Sequence, residues 1–256
     1  MKTNIKFLSF IAIFLFNFSA FAQIEFSQIP DNQSFANNGK KITVKNNKLT
    51  QFYKEYNCLW EISYAKINGL GDTKTQDFLN DWLIGMTAFG VCEGDKEVCY
   101  DFISHHYFYK QTFVSFLQSD LLSFYTKEGN CRTAKDSCSQ MMDWVIYDLK
   151  NKKIIRNEQL LVKEKESFLA DLIVRKVHEK GMKLVKDWQA FDKEIGIETS
   201  AIDNSTKVII YLYNDVIGNN IGLTLHFKEE EISPFLKPQW LNRIFPNRVK
   251  ILANRY

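Results

Sequence analysis

Two pairs of cysteines are the residues of this sequence whose types and spacing most directly suggest chemistry. Cys92 and Cys99 enclose six residues, and Cys131 and Cys138 enclose another six. Paired cysteines can ligate zinc, carry out redox reactions or form disulfides, and the redox state of the compartment decides between these roles. Zinc-binding pairs are usually separated by about two to four residues, so the wider spacing weakens the case for a four-cysteine zinc site.

The N-terminal residues indicate export to an oxidising compartment. Lys2 and Lys6 precede an apolar run that ends in a small-x-small pattern at 20–22. This pattern is typical of a secretory signal peptide, and we expect residues 1–22 to be removed before Gln23. An uncleaved anchor is the alternative, but the run is shorter than the roughly 20 apolar residues that span a bilayer. The expected localisation is secreted or periplasmic, with no membrane insertion after cleavage.

In an oxidising compartment, we expect the cysteine pairs to form disulfides. Local pairing of Cys92 with Cys99 and of Cys131 with Cys138 is favoured, and it leaves Cys58 as a free thiol in an apolar strand. Each short loop would contribute about 2 to 3 kcal/mol by restricting the unfolded chain. Cross-pairing between the two pairs, or with Cys58, remains open, as does the weaker zinc site.

Charge and composition limit the classes of function. The signal peptide holds two of the 33 Lys and Arg residues and none of the 30 Asp and Glu residues, so the mature chain has a net charge of +1. A charge so close to zero argues against a nucleic-acid partner. The segment 23–54, rich in Asn, Gln, Lys and Ser, is expected to be a flexible lead-in. Residues 239–256 are expected to form a basic C-terminal tail.

Hydrophobic periodicity predicts the elements that position these residues. Strands are predicted at 58–67, 102–117, 120–127, 140–149, 206–213 and 221–227, and helices at 74–86 and 157–178. The second helix is expected to end at Gly181. Runs of antiparallel strands with few helices indicate an α+β fold, an antiparallel sheet meander with helices packed mainly on one face.

No motif indicates a catalytic residue, a metal site or a cofactor. The sequence has no serine nucleophile elbow, phosphate-binding loop or zincin motif. His105 and His106 are adjacent on a predicted strand, so their side chains point to opposite faces and cannot easily converge on one metal. Asp77 and Asp81 share a helical face, where a solvated flank explains them better than an acid and base pair. The remaining histidines, His178 and His226, add no metal-binding spacing.

Tyrosines on two predicted strands are the candidate ligand-binding residues. Tyr107 and Tyr109 share one face of the strand at 102–117, and Tyr211 and Tyr213 share one face of a later strand. Tyrosine offers a large contact area and a hydroxyl at low entropic cost, which suits protein or glycan recognition. The alternative is a packed sheet face beneath a helix, with the hydroxyl groups at its rim.

Several stretches of this sequence resemble a known family. They are "CLWEISYAKINGLGDTKTQDFLNDWL", "LLSFYTKEGN", "WVIYDLKNKKI", "VIIYLYNDVIGNN" and "IGLTLHFKEEEISPFLKP". They are similar to the RsiV/PdaC-like paired extracellular domains of unknown function, which occur in a lysozyme-sensing anti-sigma factor ectodomain and as an accessory region of a peptidoglycan deacetylase. The resemblance implies one α+β domain over 55–238, with an N-terminal part at 55–180 and a C-terminal part at 181–238.

The sequence departs from this family at two turns. "CRTAKDSC" at 131–138 replaces a Gly-Gly-Ala-His-Gly type turn in the central hairpin, and no proline follows Tyr213 in the closing hairpin. The resemblance thereby implies that Cys131 and Cys138 face each other across a hairpin, where a disulfide can form. The deacetylase metal site lies in a separate domain with a His-x-x-x-His motif, and this sequence has no such spacing.

Two classes of function follow from these observations. The favoured one is an exported, non-enzymatic binding module of the cell envelope whose partner is a cell-wall component, a glycan or a lysozyme-like protein. The resemblance to the anti-sigma factor implies the last of these. The alternative is an envelope hydrolase, acting on peptidoglycan or polysaccharide, with an unrecognised site. An enzyme needs polar groups that converge on one pocket, and the sequence does not indicate such a cluster.

The first prediction concerns the cysteines. Peptide mapping without reduction is expected to give two short looped peptides, Cys92 with Cys99 and Cys131 with Cys138, and one alkylatable thiol at Cys58. Local loops are expected because the residues of each pair are close in sequence and the compartment is oxidising. Stoichiometric zinc, or a peptide linking the two pairs, would contradict this arrangement.

Overall fold

The structure, a computed structural model, describes residues 32–53, 58–88, 107–131, 139–184, 193–200, 204–218 and 222–246. Several sequence predictions lie outside these residues. They are the signal peptide, Cys92, Cys99, Cys138, His105 and His106, together with the side chains of Cys58, Tyr107 and Cys131.

A seven-stranded sheet runs in chain order through the described residues. Its strands are β1 (Asn32–Asn37), β2 (Lys40–Tyr53), β3 (Cys58–Asn68), β4 (Tyr107–Gln118), β5 (Leu121–Cys131), β6 (Ser139–Asp148) and β7 (Lys153–Ile155). Neighbouring strands are antiparallel except β3 and β4, which are parallel. A parallel pair needs a crossover connection, and helix α1 (Thr73–Ala88) lies in that connection.

A second sheet of three antiparallel strands follows. It has the order β10-β9-β8, formed by β8 (Lys193–Thr199), β9 (Thr206–Leu212) and β10 (Leu223–Phe227). The other helices are α2 (Asn157–Leu160), α3 (Glu166–Glu179), α4 (Asn214–Ile217), α5 (Glu229–Ile232) and α6 (Pro238–Ile244), with 3₁₀ turns at Lys163–Lys165 and Ser233–Phe235. The α+β fold class is therefore confirmed.

Helix α1 covers one face of the large sheet. Asp72 precedes the helix and accepts hydrogen bonds from the Thr75 backbone N–H and hydroxyl, which satisfies donors in the first turn. Leu79 and Leu83 lie four residues apart on one face and are fully buried. The Asn80 amide exchanges two hydrogen bonds with the Ile67 backbone of β3, at 2.7 and 3.0 Å. These contacts fix the helix against the sheet.

The opposite face of the large sheet shares a core with the second sheet. Phe116 and Leu121 are buried in one cluster with strand residues of the second sheet and with the apolar side of α3. Polar contacts join the two sheets as well: the Ser115 hydroxyl donates to Ile197 O at 2.7 Å, and Ile197 N–H donates to Ser123 Oγ at 3.0 Å. Since these groups are buried or partly buried, the hydrogen bonds offset the cost of removing them from water.

The structure differs from the sequence predictions at both ends of the domain. Residues 32–53 of the expected flexible lead-in form β1 and β2, because a left-handed turn at Asn38 and Gly39 pairs Phe35 with Ile42. Part of the expected basic tail forms α6, whose Trp240 and Ile244 are buried.

Strand β8 was not predicted. The helix predicted at 157–178 is interrupted between α2 and α3, and it ends at Gly181, where φ is +73°.

Contact between the sheets leads to a prediction at Gly196. A methyl group there would overlap the indole ring of Trp144, which is buried. We expect Gly196→Ala to lower the free energy of unfolding by about 3 kcal/mol, because a packed ring cannot move aside cheaply. Gly85→Ala in α1 is the matched control, since nothing lies within 4 Å of the new methyl group. It should raise stability by about 0.5 to 1 kcal/mol. Equal effects of the two substitutions in denaturant titrations would contradict this packing.

Candidate functional site

A cleft lies where three hairpin turns of the large sheet meet α6. Its volume is about 550 Å³, which is within the range of roughly 300 to 1,000 Å³ typical of small-molecule sites. We call it the turn-end cleft. It is lined by Asn38, Ser119, Asp120, Lys150, Asn151, Lys153, Gln239, Trp240 and Arg243. Its walls are therefore mostly polar and capable of hydrogen bonding.

An ion pair between Arg243 and Asp148 forms the base of this arrangement. The guanidinium of Arg243 donates to both carboxylate oxygens of Asp148, at 2.9 and 3.0 Å. Asp148 is fully buried, whereas the Arg243 side chain is partly exposed. Bidentate geometry of this kind is stronger and more directional than a single charged contact. It joins α6 to the end of β6.

The Asp148 carboxylate also organises the turn that follows β6. It accepts hydrogen bonds from the backbone N–H groups of Lys150 and Asn151 and from the Asn151 side-chain amide. Burial opposes ionisation of Asp148, but the hydrogen bonds from Arg243 and Asn151 outweigh it and lower its pKa to about 2. Because this pKa lies below that of an unfolded aspartate, the pair stabilises the fold at neutral pH, and the contribution is lost as the pH falls towards 2.

Arg243 also holds the turn between β4 and β5. It donates to Ser119 O at 3.1 Å and to Asp120 O at 2.9 Å. Ser119 and Asp120 both have left-handed backbones, with φ of 52° and 58°. Such residues persist where surrounding contacts fix them, and they concentrate at functional sites. Asn37 and Asn38 complete the support, because both amides donate to Asp120 Oδ1, at 3.2 and 2.7 Å.

The groups left available to a ligand differ from those that build the cleft. Arg243 is neutralised by Asp148, and Trp240 is buried, with its indole N–H donating to Gln159 O at 2.7 Å. Lys150 and Lys153 are exposed, and no described residue forms a hydrogen bond or ion pair with either ammonium group. Among the described residues, this arrangement offers preformed donors to a polar ligand and places no acid, base or nucleophile in an activated geometry.

A second polar group surrounds Tyr213. Its hydroxyl lies 2.9 Å from Glu194 Oε1 and 3.3 Å from Asp143 Oδ1, and with one proton it can donate to only one carboxylate at a time. Burial raises the pKa of both carboxyl groups, helped at Asp143 by the charge of Glu128 and at Glu194 by that of Asp143. Burial and the two carboxylates also raise the pKa of Tyr213. We call these residues the Tyr213 cluster.

Two of the tyrosines proposed from the sequence, Tyr109 and Tyr211, do not lie on an exposed surface. Tyr109 and Tyr211 are only 3% and 1% exposed, which does not fit an exposed recognition face. Tyr211 and Tyr213 do meet, with ring centroids 5.5 Å apart in an edge-on arrangement. Tyr109 instead lies beneath the Lys127 ammonium, 5.9 Å from its ring centroid. The alternative recognised from the sequence was a sheet face packed beneath a helix; Tyr211 is instead buried with Trp144 of β6 and Ile209 of β9.

The histidines of the described chain do not gather at a site. His178 and His226 are both exposed, and His226 Nε2 lies 3.4 Å from Glu198 Oε2. Within the described residues, no three His, Cys, Asp or Glu side chains are placed to hold a metal ion. No helix in the same part of the chain is both long and apolar enough to cross a membrane.

Sequence reasoning missed the turn-end cleft because its residues are far apart in the chain. Arg243 is 95 residues from Asp148 and 123 from Asp120. Two local signals were present: the Asn38-Gly39 dipeptide, which is a strong hairpin signal, and the polar turn after Asp148. Neither shows that the two turns lie beside each other.

Comparisons with known proteins identify the fold. No protein-family model matches the sequence, and no curated protein matches it. Among solved structures, the chain is similar to a DUF3298 family member from Bacteroides fragilis, with a TM-score of 0.52 and 12% identity over 80% of this chain and 97% of that one. A DUF3298 family protein from Pseudomonas aeruginosa gives a TM-score of 0.40 and 11% identity over 76% and 95%. The chain thus has a DUF3298-like fold, on the strength of the Bacteroides structure.

The ion pair at the base of the cleft gives the next prediction. Arg243→Met leaves the buried Asp148 carboxylate without its cation, and we expect it to cost about 3 kcal/mol of unfolding free energy. Adding Asp148→Asn should recover part of this loss, because the buried charge is then gone. Arg175→Met, at an exposed position of α3, is the control and should change stability by less than about 0.5 kcal/mol. A double variant no more stable than Arg243→Met would count against the ion pair.

Proposed function

We propose that this protein is an exported, non-enzymatic binding module of the bacterial cell envelope, and that it recognises a cell-wall glycan in the turn-end cleft. The observation that carries the proposal is that the residues that build the cleft differ from those that remain available to a ligand. The buried Asp148 carboxylate and the partly exposed Arg243 guanidinium satisfy each other, while exposed amide and ammonium donors remain at the mouth. Sites built to bind polar ligands combine a rigid base with a few available polar groups in this way.

The rigidity of the cleft favours recognition of a ligand without rearrangement. Arg243 links the turns after β4 and β6 to α6, and Asn37 and Asn38 add the turn after β1. A preorganised site loses little conformational entropy when a ligand binds. Export and the envelope location are part of the proposal, and they rest on the N-terminal signal pattern and on the resemblance to RsiV/PdaC-like extracellular domains.

A second candidate function is hydrolysis of an envelope polysaccharide at the Tyr213 cluster. The favouring observation is that Asp143 and Glu194 approach one hydroxyl and both have raised pKa values. Paired carboxylates with raised pKa values are used as acids in glycoside hydrolysis. The binding function is preferred because the turn-end cleft, of about 550 Å³, is lined by residues that do not include this cluster.

Co-sedimentation with purified peptidoglycan sacculi tests the binding function. We expect the protein to sediment with sacculi, and Gln239→Trp to weaken this binding at least about tenfold by filling the cleft mouth. Asn242→Trp is the matched control, since Asn242 is exposed on the same helix but does not line the cleft. It should bind as the unchanged protein does.

Three outcomes would redirect the interpretation. Equal binding by the two tryptophan variants would exclude the cleft as the site. Capture of lysozyme, with no retention on sacculi, would indicate a protein partner. Release of soluble fragments from sacculi, abolished by Glu194→Gln with an unchanged melting temperature, would favour the hydrolase.

A further inference from the structure

We infer that the turn-end cleft selects acidic saccharides over neutral ones, with Lys150 and Lys153 receiving the anionic group and Asp120 receiving hydroxyl groups. This inference rests on the proposed glycan-binding function and adds the chemical class of the ligand.

The positive charge that the cleft can offer to a ligand comes from two lysines. The buried Asp148 carboxylate neutralises Arg243, so the least exposed cation of the described lining is not available to a ligand. Lys150 and Lys153 remain, both exposed and without a partner among the described residues. Among the described lining residues, Asp120 supplies the only charge besides these two lysines and the neutralised Arg243, so the available groups carry a net positive charge. An anionic group beside the two lysines is therefore favoured over a neutral one.

The lysines are positioned by the turn that Asp148 fixes. The carboxylate holds the backbone N–H groups of Lys150 and Asn151, so the residues that carry the charge start from an ordered backbone. Lys153 begins β7 on the far side of the same turn. Two ammonium groups on one fixed turn can approach a single carboxylate or phosphate together, each as a point charge.

Asp120 argues for a saccharide rather than a simple anion. Its Oδ1 accepts from Asn37 and Asn38, while no described residue donates to Oδ2. An anion alone would be repelled by this carboxylate, whereas a sugar hydroxyl can donate to it. A ligand that satisfies both ends of the cleft must combine a negative group with hydroxyl donors. An acidic sugar has both, and inorganic phosphate has few donors.

Calorimetric titration of the purified protein with trigalacturonate and with its methyl ester tests the inference, because the two probes differ mainly in charge. We expect the acid to bind about tenfold more tightly at low salt, with the preference reduced in 0.5 M salt. Lys150→Met combined with Lys153→Met should remove the preference. Lys163→Met combined with Lys165→Met, which removes the same charge from another exposed segment, should retain it. Melting temperatures of both variants provide the check on folding.

Several results would overturn the inference. One is equal affinity for the acid and its ester, or no binding of either; another is a preference that survives in the Lys150 and Lys153 variant. Displacement of trigalacturonate by inorganic phosphate at an equal concentration would indicate a phosphate site and refute the saccharide assignment. Retention on sacculi that depends on the cleft, together with equal affinity for the two probes, would refute acid selection and leave glycan binding intact. Failure of the unchanged protein to be retained on sacculi would refute both glycan binding and acid selection.

Discussion

The arrangement of the turn-end cleft depends on the contact between Arg243 and Asp148. One guanidinium satisfies a fully buried carboxylate and two carbonyl oxygens of a left-handed turn, so a single side chain fixes two hairpins and α6. A buried pair of this kind adds little stability compared with apolar packing, but breaking it is costly. Its main effect is therefore geometric, because it dictates where the polar residues of the cleft stand.

The two sheets are held by a different balance of forces. Apolar side chains of both sheets form one buried cluster, and the close approach of Trp144 to Gly196 requires a residue without a side chain. Ser115 and Ser123 add directional hydrogen bonds to Ile197 at the same contact. Burial of apolar area supplies most of the driving force, while the hydrogen bonds and the glycine determine the position of one sheet on the other.

Local patterns predicted the fold class and most strands, whereas the site depends on contacts between distant residues. Helix α1 was predicted from its apolar spacing, because Leu79 and Leu83 repeat at the helical period. Strands β1 and β2 were not predicted, because polar residues dominate their composition. Phe35 and Ile42 nevertheless pair across the turn at Asn38 and Gly39. Tyr109 and Tyr211 were assigned to a recognition surface, but residue type alone does not distinguish an exposed aromatic face from a buried one. No sequence pattern brings Arg243 to Asp148.

The sequence separation between Arg243 and Asp148 has a consequence for the order of assembly. Strands β1 to β6 can pair as they are synthesised, but the cleft cannot form until Arg243 arrives, 95 residues after Asp148. Until then, the Asp148 carboxylate and the Ser119–Asp120 turn have to remain in water. Contacts of such long sequence separation form late and slowly, because much of the chain must be ordered first. Completion of the cleft thus requires that the described strands and helices preceding Arg243 have already been synthesised and folded.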